Sequence, residues 1–563
     1  MRQRSWLRWL AVLCIVVVVG AACSDDDSES SDGTNVGDDG GGDDSSGDDG
    51  TSDGTSDDGT SDDGTGDDGG EPVSGSCDAT VPDTQINYGT FAPSSVLDPT
   101  RASGALVGGT ELAAVYDVLF IFDHETGDYV PHLAESLEPN DDYTEWTLTL
   151  RDDITYSDGT PLDAQMVSDH MDRFFDEGVR NTSAGFLTPI VEKTVVDATT
   201  LVMTLDAPWV EFPFVFADEP GMVVNLNAIG DDIDAFGAMP SDAAGVGPYV
   251  VERNAPGEEL VFVARDDYWG GPVCVERLRF VFNPGTTYES FQAGDLNVAF
   301  LRSPAEISLA RANGEEEFFA KQDGGSVLII NQREDRPGND PRVREAIILA
   351  IDTAVVSDRA YAGDLTEGKS LIIEGSRFYS DAIVEAETDA ARASELLAEA
   401  MADGYDGTLE VLCSTTPPAP DTALAVEALL EGAGFDVTVE TIGQGDQIGA
   451  VVQGNYDTAC WGFNAGPATA TTTFGRNLRS DSASNRMGYA SAEMDAALDA
   501  ILGAESGQAQ LDAFAEMNRI FVEDHVAAGL GSIDEGIVFA PEVDGIVPTV
   551  ATIFLFHDAV IAG

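Results

Sequence analysis

Positive charge is scarce in this chain of 563 residues, where 27 lysines and arginines stand against 102 aspartates and glutamates, a formal charge of −75. A surface of that sign repels nucleic acid and anionic lipid, which excludes both as partners. Histidine is rarer still: there are five, none paired at metal-ligand spacing, so neither a metal nor a cofactor is expected. A membrane-spanning run is missing too. The apolar stretch from Trp9 to Ala22 falls short of the roughly 20 residues that cross a bilayer, and no second run follows. There is no Walker loop. The one Gly-x-Ser-x-Gly string, Gly50 to Gly54, lies in a low-complexity tract that supplies neither the strand nor the helix of a nucleophile elbow. Carboxylate pairs are too common in so acidic a chain to single out a glycosidase. Catalysis is therefore not expected.

What is present begins at the amino terminus. Arg2, Arg4 and Arg8 precede the apolar stretch and Gly20, Ala21 and Ala22 close it, the pattern of a cleaved export signal over residues 1–22. The mature body is then extracytoplasmic. Cys23 follows at once and resembles the lipobox cysteine of bacterial lipoproteins, although Gly20 stands where the usual box carries Leu or Val. The resemblance implies a diacylglycerol anchor on the Cys23 thiol, firm because each buried methylene contributes about 0.8 kcal/mol. Residues 24–76 hold nineteen acidic residues, no basic ones, and little besides Gly, Ser and Thr. Such a tract cannot offset the entropy of ordering, so 23–76 is read as a disordered tether with a span of about 40 Å. Setting aside those nineteen acids and the three arginines of the signal leaves the body at −59.

The body from Cys77 onward is long enough for two or three lobes. From Thr144 to Leu150, Trp146, Leu148 and Leu150 alternate with polar residues, and a turn at Ser157-Asp158-Gly159 follows Ile154 to Tyr156, predicting a half-buried strand pair. Asp163 reads as the N-cap of a helix whose stripe is Met166, Val167, His170, Met171, Phe174 and Phe175, with His170 packed rather than a ligand. Asp340-Pro341 opens a second helix running through Val343, Ile347, Ala350 and Ile351, and a third covers Ala390 to Met401. Next come a strand at Thr408 to Cys413, a helix at Asp421 to Glu431, a strand at Phe435 to Ile442, a short helix at Asp446 to Gln453 and a strand at Tyr456 to Phe463. That β-α-β-α-β succession predicts a parallel sheet, and a 2-1-3 strand order makes the first and third strands neighbours.

Cys413 and Cys460 then lie at adjacent strand ends, within disulfide reach. Outside the cytoplasm an oxidised pair is expected. The pairs Cys77–Cys274 and Cys413–Cys460 are preferred over the two other connectivities, with buried free thiols as the alternative.

Several stretches, in order across the body, resemble the large solute-binding proteins of bacterial ABC importers, the family of oligopeptide-, dipeptide- and nickel-binding proteins. They are Leu97-Asp98-Pro99, Tyr116-Asp117-Val118-Leu119, VPHLAESLEPNDDYTEWTLTLRDDITYSDGTPLDAQMV from Val130, GVGPYVV from Gly245, ARDDYWGG from Ala264, FQAGDLNVAF, NDPRVREAIILAID and YDTACWGF. The resemblance implies an α/β fold of the type II periplasmic-binding-protein class, with two main lobes on a hinge and an extra inserted lobe. Lobe I takes about 77–119, 241–325 and 511–563, the inserted lobe II about 120–240, and lobe III about 326–510. It implies a monomer that traps a peptide or small solute between lobes I and III and presents it to an ABC permease.

In peptide-binding members an acidic residue three positions after the last-strand tryptophan pairs with the ligand's ammonium. Here Asn464 stands three after Trp461, so either the ligand lacks a free ammonium or another carboxylate does that work. Trp461 and Phe463 are candidates to stack on a ligand or to pack the core, Asn331 is a ligand contact or a structural amide, and Ser103 and Gly104 fall in a segment that touches ligand in the family. Sugars, opines and metal chelates compete with peptides as the solute. A sensing receptor without import and a chaperone-like binder are the other readings.

Overall fold

A computed structural model describes residues 77–562 apart from 91, 93–95, 103–106, 177–180, 182, 283–285 and 506. The export signal, Cys23, the tether, Ser103 and Gly104 lie outside the described residues.

Ten strands form one sheet, in the order Asp436–Ile442, Thr408–Ser414, Thr458–Trp461, Glu316–Ile330, Ala527–Phe539, Val298–Leu301, Val81–Thr90, Val275–Phe282, Glu259–Ala264 and Tyr249–Ala255. The first three are parallel and follow the expected 2-1-3 order. The next strand is antiparallel to them, and its residues Val327 to Ile330 alternate between two cores. Val327 and Ile329 join one core with Leu412, Ala459 and Phe514, while Leu328 and Ile330 join another with Val343, Val411 and Val426. A sheet covered by helices on both faces demands an unbroken apolar strand.

Glu316–Ile330 and Ala527–Phe539 are long antiparallel strands that belong to both halves of the sheet. Their register shifts between Gln322 and Val327, beside the pair Gly324-Gly325, and Gly531 sits opposite Ser326 with φ 139°. Glycine is required at Gly531, since a Cβ there would meet the Thr366 carbonyl oxygen at 2.6 Å in a left-handed backbone. The two main lobes are thus joined by two strands bent at these points. The boundary expected at residue 511 falls inside helix Gly507–Glu523. Helix Gly507–Glu523 packs through Phe514, Met517 and Phe521 into the core of lobe III, and the chain crosses back only near Gly531.

The inserted lobe is a four-strand antiparallel sheet, Ala134–Pro139, Glu145–Leu150, Thr200–Leu205 and Ile190–Val195. Trp146, Leu148 and Leu150 are buried as the alternation requires. Their strand pairs with Ala134–Pro139 and Thr200–Leu205, however, and Ile154 to Tyr156 contributes only an isolated bridge, Thr155 to Pro161. The segment bonds across its own turn instead, Tyr156 N donating to Thr160 O at 2.8 Å and Leu162 N to Ile154 O at 3.1 Å. Helix Ala164–Arg173 starts on the expected cap, with Met166 N donating to Asp163 Oδ1 at 2.8 Å. It ends earlier than expected, which leaves Phe175 58 % exposed rather than in the stripe. His170 is packed edge-on against Phe174, and burial drives its pKa down to about 3, so it stays neutral. Helix Pro341–Ala350 is capped by Asp340, with Ile351 already extended beyond it. Ala390–Ala402, Ala419–Ala433 and Gln444–Gln453 form the remaining expected helices.

Candidate functional site

Two features prepare the site without touching it. The first is the stem of the inserted lobe. Asp117, with φ 60°, accepts from Tyr268 Oη at 2.8 Å and from Trp269 Nε1 at 3.4 Å, and His132 Nε2 lies 2.8 Å from its other oxygen. Burial raises this carboxyl, but His132, His557 and Tyr268 outweigh it and leave the pKa below its ordinary value. Arg265 Nη1 donates to Gly245 O at 2.7 Å, and Asp98 accepts from Arg173 Nη2 at 2.6 Å and from the Thr100 hydroxyl at 3.0 Å. The sequence phrases around Asp98, Asp117, Gly245 and Tyr268 therefore build the junction where the inserted lobe leaves and rejoins the body. The second feature is the pair of disulfides. Cys77 is bonded to Cys274 and Cys413 to Cys460, the latter across neighbouring strand ends with the Cα atoms 5.0 Å apart.

Three of the candidate residues, Trp461, Phe463 and Asn464, lie at the end of strand Thr458–Trp461 and in the loop after it. Phe463 N donates to Gly324 O at 2.9 Å, Asp323 N donates to Ala465 O at 2.8 Å, and Ala465 N returns to Asp323 O at 3.0 Å. These bonds fasten the loop to the inter-lobe crossing. Between them Asn464 adopts φ 55°, a left-handed conformation that asparagine tolerates better than most residues, and its Oδ1 is buried with no donor. Trp461 is half-buried at the strand end, packed on the core yet keeping open surface. Phe463 is only 5 % exposed and meets Phe474 edge-on. Its ring belongs to the core, so of the two aromatics Trp461 alone retains a face to offer.

Asn331 resolves as a structural amide. It is fully buried, its Nδ2 donates to Gly454 O at 3.0 Å and Tyr456 O at 2.9 Å, and its Oδ1 accepts from Arg333 Nη1 at 2.9 Å. Nothing is left over for a ligand.

The sequence reading missed Asp323. It is 2 % exposed, Oδ2 accepts the Ser376 hydroxyl at 2.5 Å, and burial holds its carboxyl up at about 7. The signal available was the Gly324-Gly325 pair interrupting an apolar strand, which marks a bend and gives the residue beside it a special place. Also missed was the contact between lobes II and III. Glu211 accepts from the Thr471 hydroxyl at 2.7 Å and from Arg377 Nη2 at 3.4 Å, and Val210 N donates to Leu502 O at 3.0 Å. Two surface depressions, of about 320 Å³ beside Asn87 and Phe291 and about 480 Å³ beside Gln85 and Arg279, share no residue with this site. Among the described residues no helix is long and apolar enough to cross a membrane.

Residues 128–485 match the family model for bacterial extracellular solute-binding proteins, family 5, middle region. The chain belongs to that family. Among curated relatives of this family 5 protein, the probable D,D-dipeptide-binding periplasmic protein DdpA of Escherichia coli K12 is 21 % identical over 483 residues, 83 % of this chain and 92 % of that one. The nickel-binding periplasmic protein of the same organism is 24 % identical over 304 residues, and this chain spans 55 % of its length. Among solved structures, Haemophilus influenzae OppA in complex with RPPGFSPFR superposes with a TM-score of 0.71 at 21 % identity, covering 86 % of this chain and all of that one. The fold is the type II periplasmic-binding-protein fold, and the chain is an extracytoplasmic solute-binding protein of ABC transport.

Proposed function

We propose that this solute-binding protein is a lipid-anchored monomer that captures an oligopeptide, or a solute of similar size, between lobes I and III and delivers it to an ABC permease without catalysing a reaction. The observation that carries the reading is the two-strand crossing, with the Asn464 loop and Asp323 fastened directly to it. A ligand held there touches the element about which the lobes turn, so occupancy and closure are coupled. The peptide preference is supported by relatives named for dipeptides and for murein peptide. The anchor reading rests on Cys23 and the acidic tether, which would keep a secreted binder beside its permease. Thermal unfolding against peptide, sugar and metal-chelate libraries tests the reading. Ligand binding raises the apparent melting temperature by mass action, about 2.7 kcal/mol of added stability at a hundredfold excess over Kd. Peptides are expected to give the shift; no shift with any class at millimolar concentration would reject the function, and a mature protein without acyl mass on Cys23 would reject the anchor.

A further inference from the structure

Three segments of the chain converge at the stem of the inserted lobe: Asp117, where the chain leaves lobe I, His132, where lobe II begins, and His557 of the carboxyl-terminal tail. The two imidazole rings are centred 4.9 Å apart, and the His132 ring is also 4.9 Å from that of Trp269. His132 Nε2 lies 2.8 Å from Asp117 Oδ1, and His557 Nε2 lies 3.4 Å from Asp558 Oδ2. Asp117 is enclosed and the two histidine side chains keep 11 % and 13 % of their surface, whereas Asp558 keeps 58 %. The Tyr268 hydroxyl donates to Asp117, and Arg151, 3.7 Å from Asp153, stacks on Trp269. Two of the five histidines in the chain are packed side by side around one buried carboxylate.

One proton on this pair of rings is balanced by Asp117. A second adds a net positive charge to an enclosed place, where Asp558 is too exposed to offset it fully and Arg151 repels it. We propose that Asp117, His132 and His557 form a proton-operated joint, in which a second proton drives the rings apart and unfastens the stem of the inserted lobe from the carboxyl-terminal tail. The tail can yield, because beyond His557 its strand pairing is the two-residue ladder of Val560–Ile561 on Val543–Asp544. Its withdrawal uncovers the stem, where His132 N and Ala134 N donate to Leu119 O at 3.0 and 3.2 Å. Burial above all, reinforced by His132, lowers the pKa of His557 against the pull of Asp117 and Asp558. Its folded value lies below the unfolded value of about 6.5, so the joint's contribution to stability is complete above that pH and is lost as pH falls toward the folded value. Acid thereby loosens the lobe that holds lobe III through Glu211.

The experiment combines carbon-13 NMR of the histidine rings with hydrogen exchange by mass spectrometry on the mature protein from pH 8 to pH 5. The His557 resonance is identified by its absence from His557→Gln. It is expected to titrate below about 6.5, and His132→Gln is expected to raise its midpoint by about half a unit or more, while the exposed change Asp558→Asn lowers it by a few tenths. Amides of residues 117–134 and 555–562 are expected to exchange about tenfold faster at pH 5 than at pH 7.5 after correction for the intrinsic rate, and His557→Gln is expected to abolish that acceleration. Melting curves at pH 7.5 establish that each variant is folded, and Asp558→Asn carries the titration test if a histidine variant is not. A His557 midpoint that neither His132→Gln nor Asp558→Asn moves would overturn the coupling. Equal acceleration in wild type and His557→Gln, or none in wild type, would overturn the joint.

Discussion

The Glu211 carboxylate of the inserted lobe accepts the Thr471 hydroxyl of lobe III at 2.7 Å, and Arg377, also of lobe III, reaches the same carboxylate at 3.4 Å. Glu211 is mostly buried, with 16 % of its side chain exposed, so these bonds are less screened than surface pairs. They make the inserted lobe a clasp on lobe III. A hydrogen bond to a charged group contributes about 1.5 kcal/mol, roughly tenfold in an equilibrium. Glu211→Ala is therefore expected to raise the population of open molecules about tenfold. Small-angle scattering of the ligand-free protein should show a larger radius of gyration; a curve identical to wild type would exclude the clasp.

A second prediction concerns acidity. Asp218 and Glu219 are buried side by side, sharing the Ser183 hydroxyl at 3.1 and 2.7 Å. Burial raises both carboxyls, and for Glu219 the neighbouring Asp218 adds to the effect. Because the folded pKa lies above the unfolded value of about 4.3, the folded state binds more protons between the two. Their contribution is complete below that value and is lost as pH rises through neutrality, by up to about 1.4 kcal/mol per pH unit for each group. Glu219→Gln should match wild type in denaturation at pH 4.5 and exceed it at pH 8. A difference between the two that does not change with pH would contradict the assignment.

The third concerns the stem of the inserted lobe. A Cβ at Gly245 would lie 2.1 Å from the Val115 carbonyl oxygen, a backbone atom that cannot swing aside. Gly245→Ala is expected to cost about 2 kcal/mol through forced separation of the two segments, read as a lower urea midpoint. An unchanged midpoint would show that the junction is pliant.

Much of this architecture is legible in the chain because local chemistry and global fold agree. Asp163, Asp340 and the Ala390 helix start where capping chemistry places them, and Cys413 and Cys460 meet because a parallel 2-1-3 order puts their strand ends together. The failures share one cause. Phe175 and Ile154 to Tyr156 were read from local pattern, whereas their fate is set by partners far along the chain. Asp323 illustrates the same point at the site. In sequence it is one acid among 102, and only the bridge to Ala465 and the Ser376 hydroxyl set it apart. Asn331, conversely, carries a plausible residue type whose amide nitrogen is consumed by Gly454 and Tyr456 and whose oxygen is consumed by Arg333.

Strand Ala527–Phe539 occupies the middle of the ten-strand order, although it comes close to the carboxyl end of the chain. Two strands made much earlier, Val298–Leu301 and Glu316–Ile330, cannot complete their ladders before it arrives. A polypeptide made amino terminus first therefore leaves an edge of each of these strands unpaired until most of the chain is complete. Assembly of this molecule is paced by closure of very long chain loops, and loss of this one strand deprives both halves of the sheet at once.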